Sequence, residues 1–339
     1  QTKATRAPSP MPSKPTQHAL FLTSISGGAG DATKHIQHIQ GTASARLHLV
    51  PAFQAAQALD MQPRVLSLDI DRPGILDALG EPSVCVIDKI NHYDHERVKG
   101  FAMATLAATA RLKAQGCSMI VNYCDHLAPL DDSRGGLYRN LLKLADLVVY
   151  PCNAMAALAQ PWLKPGTPSL TIEDPWQTVE QPYRTYRREE RLRIAWFGNS
   201  GNALFLCQLL PRLKQLANAA TAYELVVLGN QETLAKTKQA FNQLNPSEAA
   251  RPWSLSLVLW DHNQQPQQLE DTLGSAHIAL LPSDPGLPMK AGVSHNRLVD
   301  ASRSGCIPIA SPMNSYLELN KIALIGNDFV ELLHRNALG

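Results

Sequence analysis

The chain has 339 residues, 45% of them hydrophobic and 18% charged, with 31 Lys and Arg against 29 Asp and Glu for a net charge of +2. Single cores rarely grow past about 250 to 300 residues, so two domains are expected. Near-neutral charge argues against nucleic acid as a partner. No apolar run approaches the roughly 18 residues of a membrane span, which still permits peripheral contact with a lipid-linked acceptor.

Residues 1–17 are rich in Pro, Ser, Thr and Lys without an apolar stretch and read as a flexible leader. The first residue is Gln, not Met, as expected of a piece of a longer, multidomain chain. A short apolar run predicts a strand over 19–23, followed by Gly27-Gly28-Ala29-Gly30 and a helical rhythm over 47–59. Buried strands are predicted over 64–68, 83–87, 118–122 and 147–150, with helices over 96–114 and 137–144. Residues 173–190 carry Pro175, Pro182 and the run Arg184, Arg187, Arg188, Glu189, Glu190, and read as a linker. The pattern then restarts: strands over 192–197, 224–228, 254–259, 278–281 and 307–310, with helices over 203–217, 231–241 and 266–273.

Short apolar strands alternating with amphipathic helices imply parallel sheets covered on both faces. Two such halves, 18–172 and 191–339, predict an α/β protein of two tandem Rossmann-like domains with a cleft between them, lined by the carboxyl ends of the strands. Beyond 322–325 only a short helix over 328–335 is expected.

The six cysteines form no CxxC pair and no Cys/His cluster, so neither a zinc site nor a disulfide framework is expected, and a reducing cytoplasm is the simplest home. His92, Asp94 and His95 form a polar cluster on a loop without further ligands; no metal site is assigned.

Four stretches carry chemistry. In Lys290-Ala291-Gly292-Val293-Ser294-His295-Asn296-Arg297-Leu298-Val299-Asp300, polar residues precede a short helix that ends at Gly305 before the strand over 307–310. A helix start with cationic side chains is an anion site: Lys290 and Arg297 suit a diphosphate, and Asp300, three residues past Arg297, suits two hydroxyls. The turn Gly198-Asn199-Ser200-Gly201-Asn202 follows a strand and lets a phosphate approach free N–H groups. Gly27, Gly28 and Gly30 fall short of a dinucleotide fingerprint, because Thr33 stands at the last glycine. Asp125 and His126 close a buried strand and are placed for acid–base work, with helix capping by Asp125 and a surface His126 as the alternative.

The stretch from Ile278 through Leu319, with Lys290, Ser294, His295, Asn296, Arg297, Asp300 and Gly305-Cys306-Ile307-Pro308 at its centre, resembles the C-terminal domain of group 1 (family 4-like) glycosyltransferases of the GT-B fold. The resemblance covers residues 190–330 well and the first half loosely. It implies that Asp300 holds the donor ribose, that Lys290, Ser294, His295, Asn296 and Arg297, with Gly198, Asn199 and Ser200, surround the diphosphate, and that Gly27, Gly28, Gly30 and Arg46 form a loop toward the acceptor. The family's second acidic residue, eight positions before Asp300, is replaced by Gly292. Such proteins usually continue with further helices, so the short end reads as a truncation, a removed domain or a compact variant.

The implied activity is sugar transfer from a nucleotide-sugar to a hydroxyl of a glycan or glycoconjugate, of a bacterial type, with no cofactor and no metal. A non-catalytic glycan- or nucleotide-binding module of the same fold and a sugar-nucleotide epimerase are the alternatives.

Overall fold

The computed structural model describes residues 17–24, 43–68, 74–90, 95–187, 191–217, 222–244, 252–261 and 266–335. The leader up to residue 16, the loop with Gly27, Gly28 and Gly30, and the cluster at 91–94 lie outside the described residues.

In the first half the chain runs β1 (His18–Thr23), a π-helical turn (Ala45–Leu49), α1 (Val50–Ala58), β2 (Gln62–Ser67), β3 (Val84–Ile87), α2 (His95–Ala114), β4 (Ser118–Asn122), α3 (Ser133–Leu144), β5 (Leu147–Tyr150), α4 (Asn153–Ala159) and β6 (Ser169–Thr171). In the second it runs β7 (Leu192–Gly198), α5 (Ser200–Leu216), β8 (Tyr223–Gly229), α6 (Gln231–Leu244), β9 (Trp253–Leu259), α7 (Gln267–Gly274), β10 (Ile278–Leu281), α8 (Asn296–Arg303), β11 (Ile307–Ala310), α9 (Asn314–Leu317), β12 (Leu324–Ile325) and α10 (Phe329–Leu333).

All strand pairs are parallel, in two six-stranded sheets ordered β2-β1-β3-β4-β5-β6 and β12-β11-β10-β7-β8-β9. Central strands feed both faces of their sheet, as a period of two requires. Leu20 and Leu22 join one core while Ala19 and Phe21 join the other. Ile194 and Trp196 are likewise parted from Ala195 and Phe197. The predicted α/β class and the two Rossmann-like sheets are therefore present.

Strand order reverses between β1 and β3 in the first sheet and between β7 and β10 in the second. At such a switch point neighbouring loops diverge in opposite directions and leave a crevice at the carboxyl ends of the strands. Asp88 and Lys89 follow β3, Gly198 ends β7, and the 282–295 segment follows β10, so these residues meet around the crevices.

Several elements differ from expectation. Helix α5 begins at Ser200, because the Asn199 side chain caps it by accepting from the Asn202 N–H at 3.2 Å. Ser200, Gly201 and Asn202 are thus the first helical turn rather than a loop. Helix α4 and strand β6 carried no usable signal: one is seven residues of mostly Ala, and the other is three residues, all exposed. Residues 172–187 form no helix or strand and cross the second half as a strap.

Candidate nucleotide-binding cleft

The second half supplies two cations. Lys290 Nζ donates to Asn202 Oδ1 at 2.8 Å, on the first turn of α5. The Arg297 guanidinium donates to the Phe197 carbonyl and lies over the rings of Trp196 and Phe197, 5.5 and 5.1 Å from their centroids. Burial lowers Arg297, with Tyr316 opposing. Burial also lowers Lys290, against the pull of Asp125, and the positive charges of Arg297 and Lys89 lower it further. The two cations are thus held close together beside the start of α5, an arrangement that suits an anion.

The facing wall comes from the first half, where Lys89 pairs with Asp125 at 2.5 Å. That carboxylate raises Lys89 against burial. Burial alone would raise Asp125, but Lys89 outweighs it, and Lys290 and His48 help to hold Asp125 below the usual carboxylate range. Asp125 is therefore an ionised, paired group rather than a free base. His126 is 5% exposed, and its Nδ1 lies 3.0 Å from the Tyr123 hydroxyl inside the first core. Burial lowers it. The expectation that His126 serves as a base at the cleft is corrected by that inward packing, as is the alternative of a surface His126.

A third cluster was not foreseen. His48 Nε2 bonds Asp174 of the strap at 2.7 Å, and its Nδ1 lies 4.0 Å from buried Asp88. Burial alone would lower His48, but the Cys124 sulfur and Asp174 outweigh it and hold the imidazole well above its ordinary value. Burial keeps Cys124 itself a neutral thiol, so Asp174 supplies the charge. A raised histidine contributes stability that is complete below its unfolded pKa, about 6.5, and is lost as pH rises through the folded value. Asp174→Asn is therefore expected to cost about 1.5–3 kcal/mol near pH 6. The gap between wild type and variant should narrow as pH rises toward 9 in urea melts; a gap constant with pH would refute the pairing.

The two halves touch at several points. The Cys152 thiol donates to the Gly292 carbonyl at 3.5 Å, and a Cβ on Gly292 would stand 3.0 Å from the Met155 Cα. The position of the missing second acid is thus closed by α4. Glu318 accepts from the Ala154 N–H at 2.7 Å and the Asn153 N–H at 3.4 Å, capping α4 from the other half. Glu318→Ala should cost about 0.5–2 kcal/mol and Glu318→Gln less, read from thermal melts. Equal stability of all three proteins would show that the cap is not made.

Of the remaining expected donor residues, Ser294 Oγ accepts from the Asn296 N–H at 3.1 Å, and His295 is 3% exposed with Nε2 3.8 Å from Glu173. Asp300 is 0% exposed, and the strap residues Gln177 and Thr178 hydrogen-bond its carboxylate. The expected open ribose site at Asp300 is therefore covered. Arg46 also turns to the strap, its Nε donating to Gln177 Oε1 at 2.8 Å, rather than standing in an acceptor loop. Two surface hollows of about 340 and 510 Å³ flank the strap around Tyr183 and Arg184, away from the cations. Among the described residues no three His, Cys, Asp or Glu side chains gather as metal ligands, and no helix is long and apolar enough to cross a membrane.

No protein-family model matches the sequence, and no curated protein matches it. Solved structures do. Anabaena HepE, in complex with UDP and glucose, is 13% identical, covers 95% of this chain and 89% of its own, and has a TM-score of 0.57. Sucrose-phosphate synthase from Thermosynechococcus elongatus is 12% identical over 94% and 88% of the two chains, with a TM-score of 0.56. The lipopolysaccharide outer core galactosyltransferase WaaB is 12% identical over 95% and 91%, with a TM-score of 0.53. The chain has the GT-B fold. In a GT-B protein the two sheets face one another across a cleft, and here Lys290 and Arg297 stand on one wall with Lys89 and Asp125 on the other.

Proposed function

We propose that this chain is a glycosyltransferase that moves a sugar from a nucleotide-sugar to a hydroxyl of a glycan or glycoconjugate. The observation that carries this reading is the pair of cations, Lys290 and Arg297, gathered beside the start of α5 near the β7/β10 switch point, opposite an Asp125 carboxylate already paired with Lys89. A GT-B protein of similar shape, HepE, was solved with UDP, which supports a nucleotide diphosphate there. As the glycosidic bond breaks, negative charge grows on the leaving diphosphate. Lys290, Arg297 and the first turn of α5 stabilise it more in the transition state than in the ground state. Gly198, two residues before that turn, lets Trp196 and Arg297 pack against the end of β7: a Cβ there would lie 3.1 Å from the Trp196 ring and 3.5 Å from Arg297. Asp300 is assigned to the ribose, Ser294 and Asn296 to the rim of the phosphate site, and Asp125 to orienting the acceptor. The glycine loop at Gly27, Gly28 and Gly30 is assigned to the acceptor side.

A second reading, a nucleotide-binding module without turnover, is favoured by one observation: Asp125 is tied up by Lys89 and His126 is buried, so neither of the two expected bases is free. The free state of all six cysteines supports a cytoplasmic home, with peripheral membrane contact if the acceptor is lipid-linked.

Calorimetric titration of UDP, GDP, ADP, TDP and CMP, followed by release of the nucleotide from its sugar conjugate with and without a glycan extract, tests both readings. Binding with acceptor-dependent release supports the transferase; binding without release supports the module. No binding at millimolar concentration rejects both.

A further inference from the structure

The strap carries more than a connection. Asp174 on His48 anchors it near its start, and Gln181 and Arg184 anchor it farther on, their N–H groups donating to the Arg303 and Gly305 carbonyls at 2.7 and 2.9 Å. Between them, one residue meets both oxygens of Asp300: the Gln177 backbone N–H donates to Oδ1 at 2.7 Å and its side-chain amide to Oδ2 at 3.2 Å. Thr178 Oγ adds contacts to the Asp300 carbonyl at 3.1 Å and to Oδ1 at 3.5 Å. Arg46 holds the other end of the Gln177 amide.

Two donors converging on the two oxygens of one carboxylate is also the pattern with which a vicinal diol is recognised. Asp300 lies three residues beyond Arg297 on α8, about one helical turn from the cation that faces the phosphates. A diphosphate held at Arg297 would leave its ribose on the Asp300 side of the helix. The apolar side chains of the strap are not buried: Trp176 is 62% exposed and rests on Arg303, and Val179 is 51% exposed, so the segment is held by polar contacts such as Val179 N–H to Glu270 and Arg303 to the Thr178 carbonyl, each at 3.3 Å. A segment with few buried apolar contacts opens locally at low cost.

We propose that residues 175–179 are an intramolecular gate on the nucleoside pocket, in which Gln177 and Thr178 occupy Asp300 until the ribose of a nucleoside diphosphate displaces them. The inference rests on the proposed donor site. In a two-state gate the apparent dissociation constant is the intrinsic one divided by the open fraction, so weakening the closed state tightens binding.

The test is calorimetry of UDP, GDP and ADP, with inorganic pyrophosphate as the ligand that lacks a ribose, on wild type and Gln177→Ala. The expected result is tightening of a nucleoside diphosphate by about threefold to tenfold in the variant, with pyrophosphate unchanged. In unaltered protein the same nucleotide, and not pyrophosphate, should change the fluorescence that Trp176→Phe removes, a readout that does not depend on the Gln177 variant folding. Equal nucleotide affinity in both proteins with a silent Trp176 overturns the gate and leaves the donor site standing. Failure of every nucleotide and of pyrophosphate in all proteins overturns the donor site, and the gate with it.

Discussion

Lys290→Ala is expected to weaken nucleoside diphosphate binding by about tenfold to a hundredfold, the worth of one charge-assisted hydrogen bond of about 1.5–3 kcal/mol. The same variant should melt at or above the wild-type temperature. Burial, Arg297 and Lys89 all act against the Lys290 charge, and only Asp125 favours it among the charges that shift it. Removing a charge that the empty cleft disfavours costs the fold little, whereas removing it from a filled cleft leaves phosphate oxygens unmatched. Parallel titration and thermal melts separate the two effects. A variant that loses stability and affinity together would make Lys290 a structural residue and deprive the proposed donor site of its main support.

Gly305→Ala is the second large effect. Gly305 has φ of +80°, and a Cβ there would stand 2.3 Å from the Pro182 carbonyl oxygen of the strap. A left-handed backbone costs an L-residue about 1–2 kcal/mol. Overpacking adds about 1–3 kcal/mol, because the obstacle is backbone rather than a movable side chain. The strap must also lift, breaking the bond from the Arg184 N–H to the Gly305 carbonyl. A fall in melting temperature of roughly 10 °C is expected for a protein of this size. A change under 2 °C would mean that the strap does not run over Gly305.

Which features were legible follows from the range of the physics involved. Ile278–Leu281 and Ile307–Ala310 announce themselves because a strand buried on both faces must be apolar throughout. Ser169–Thr171 was invisible because its three side chains all face solvent and only its backbone pairs with β5. Gly305 could be read as a helix terminator from its neighbours, but the approach of Pro182 could not. The same divide runs through the site. Lys290 and Arg297 lie in one stretch of local pattern, so the role proposed for them as an anion-binding pair can be argued from the sequence. Lys89, His48 and Glu318 were missed, since each is an unremarkable polar residue until its partner, 36, 126 or 164 positions away, is known. Asp125 and His126 stand just past the end of β4, but local sequence could not say that one is paired and the other turned inward.

By itself the sequence determined the α/β class, the two parallel sheets and the placing of Lys290 before α8 and Arg297 in its first turn, because periodicity and helix-start chemistry act over a few residues. Tertiary structure alone decided that Gln177 and Thr178 sit on Asp300, that Gly292 is closed against Met155 and that His48 is held by Asp174. Those outcomes depend on how a strap of 15 or so residues is laid between two finished sheets, and such contacts are selected by long-range packing that leaves no period in the chain.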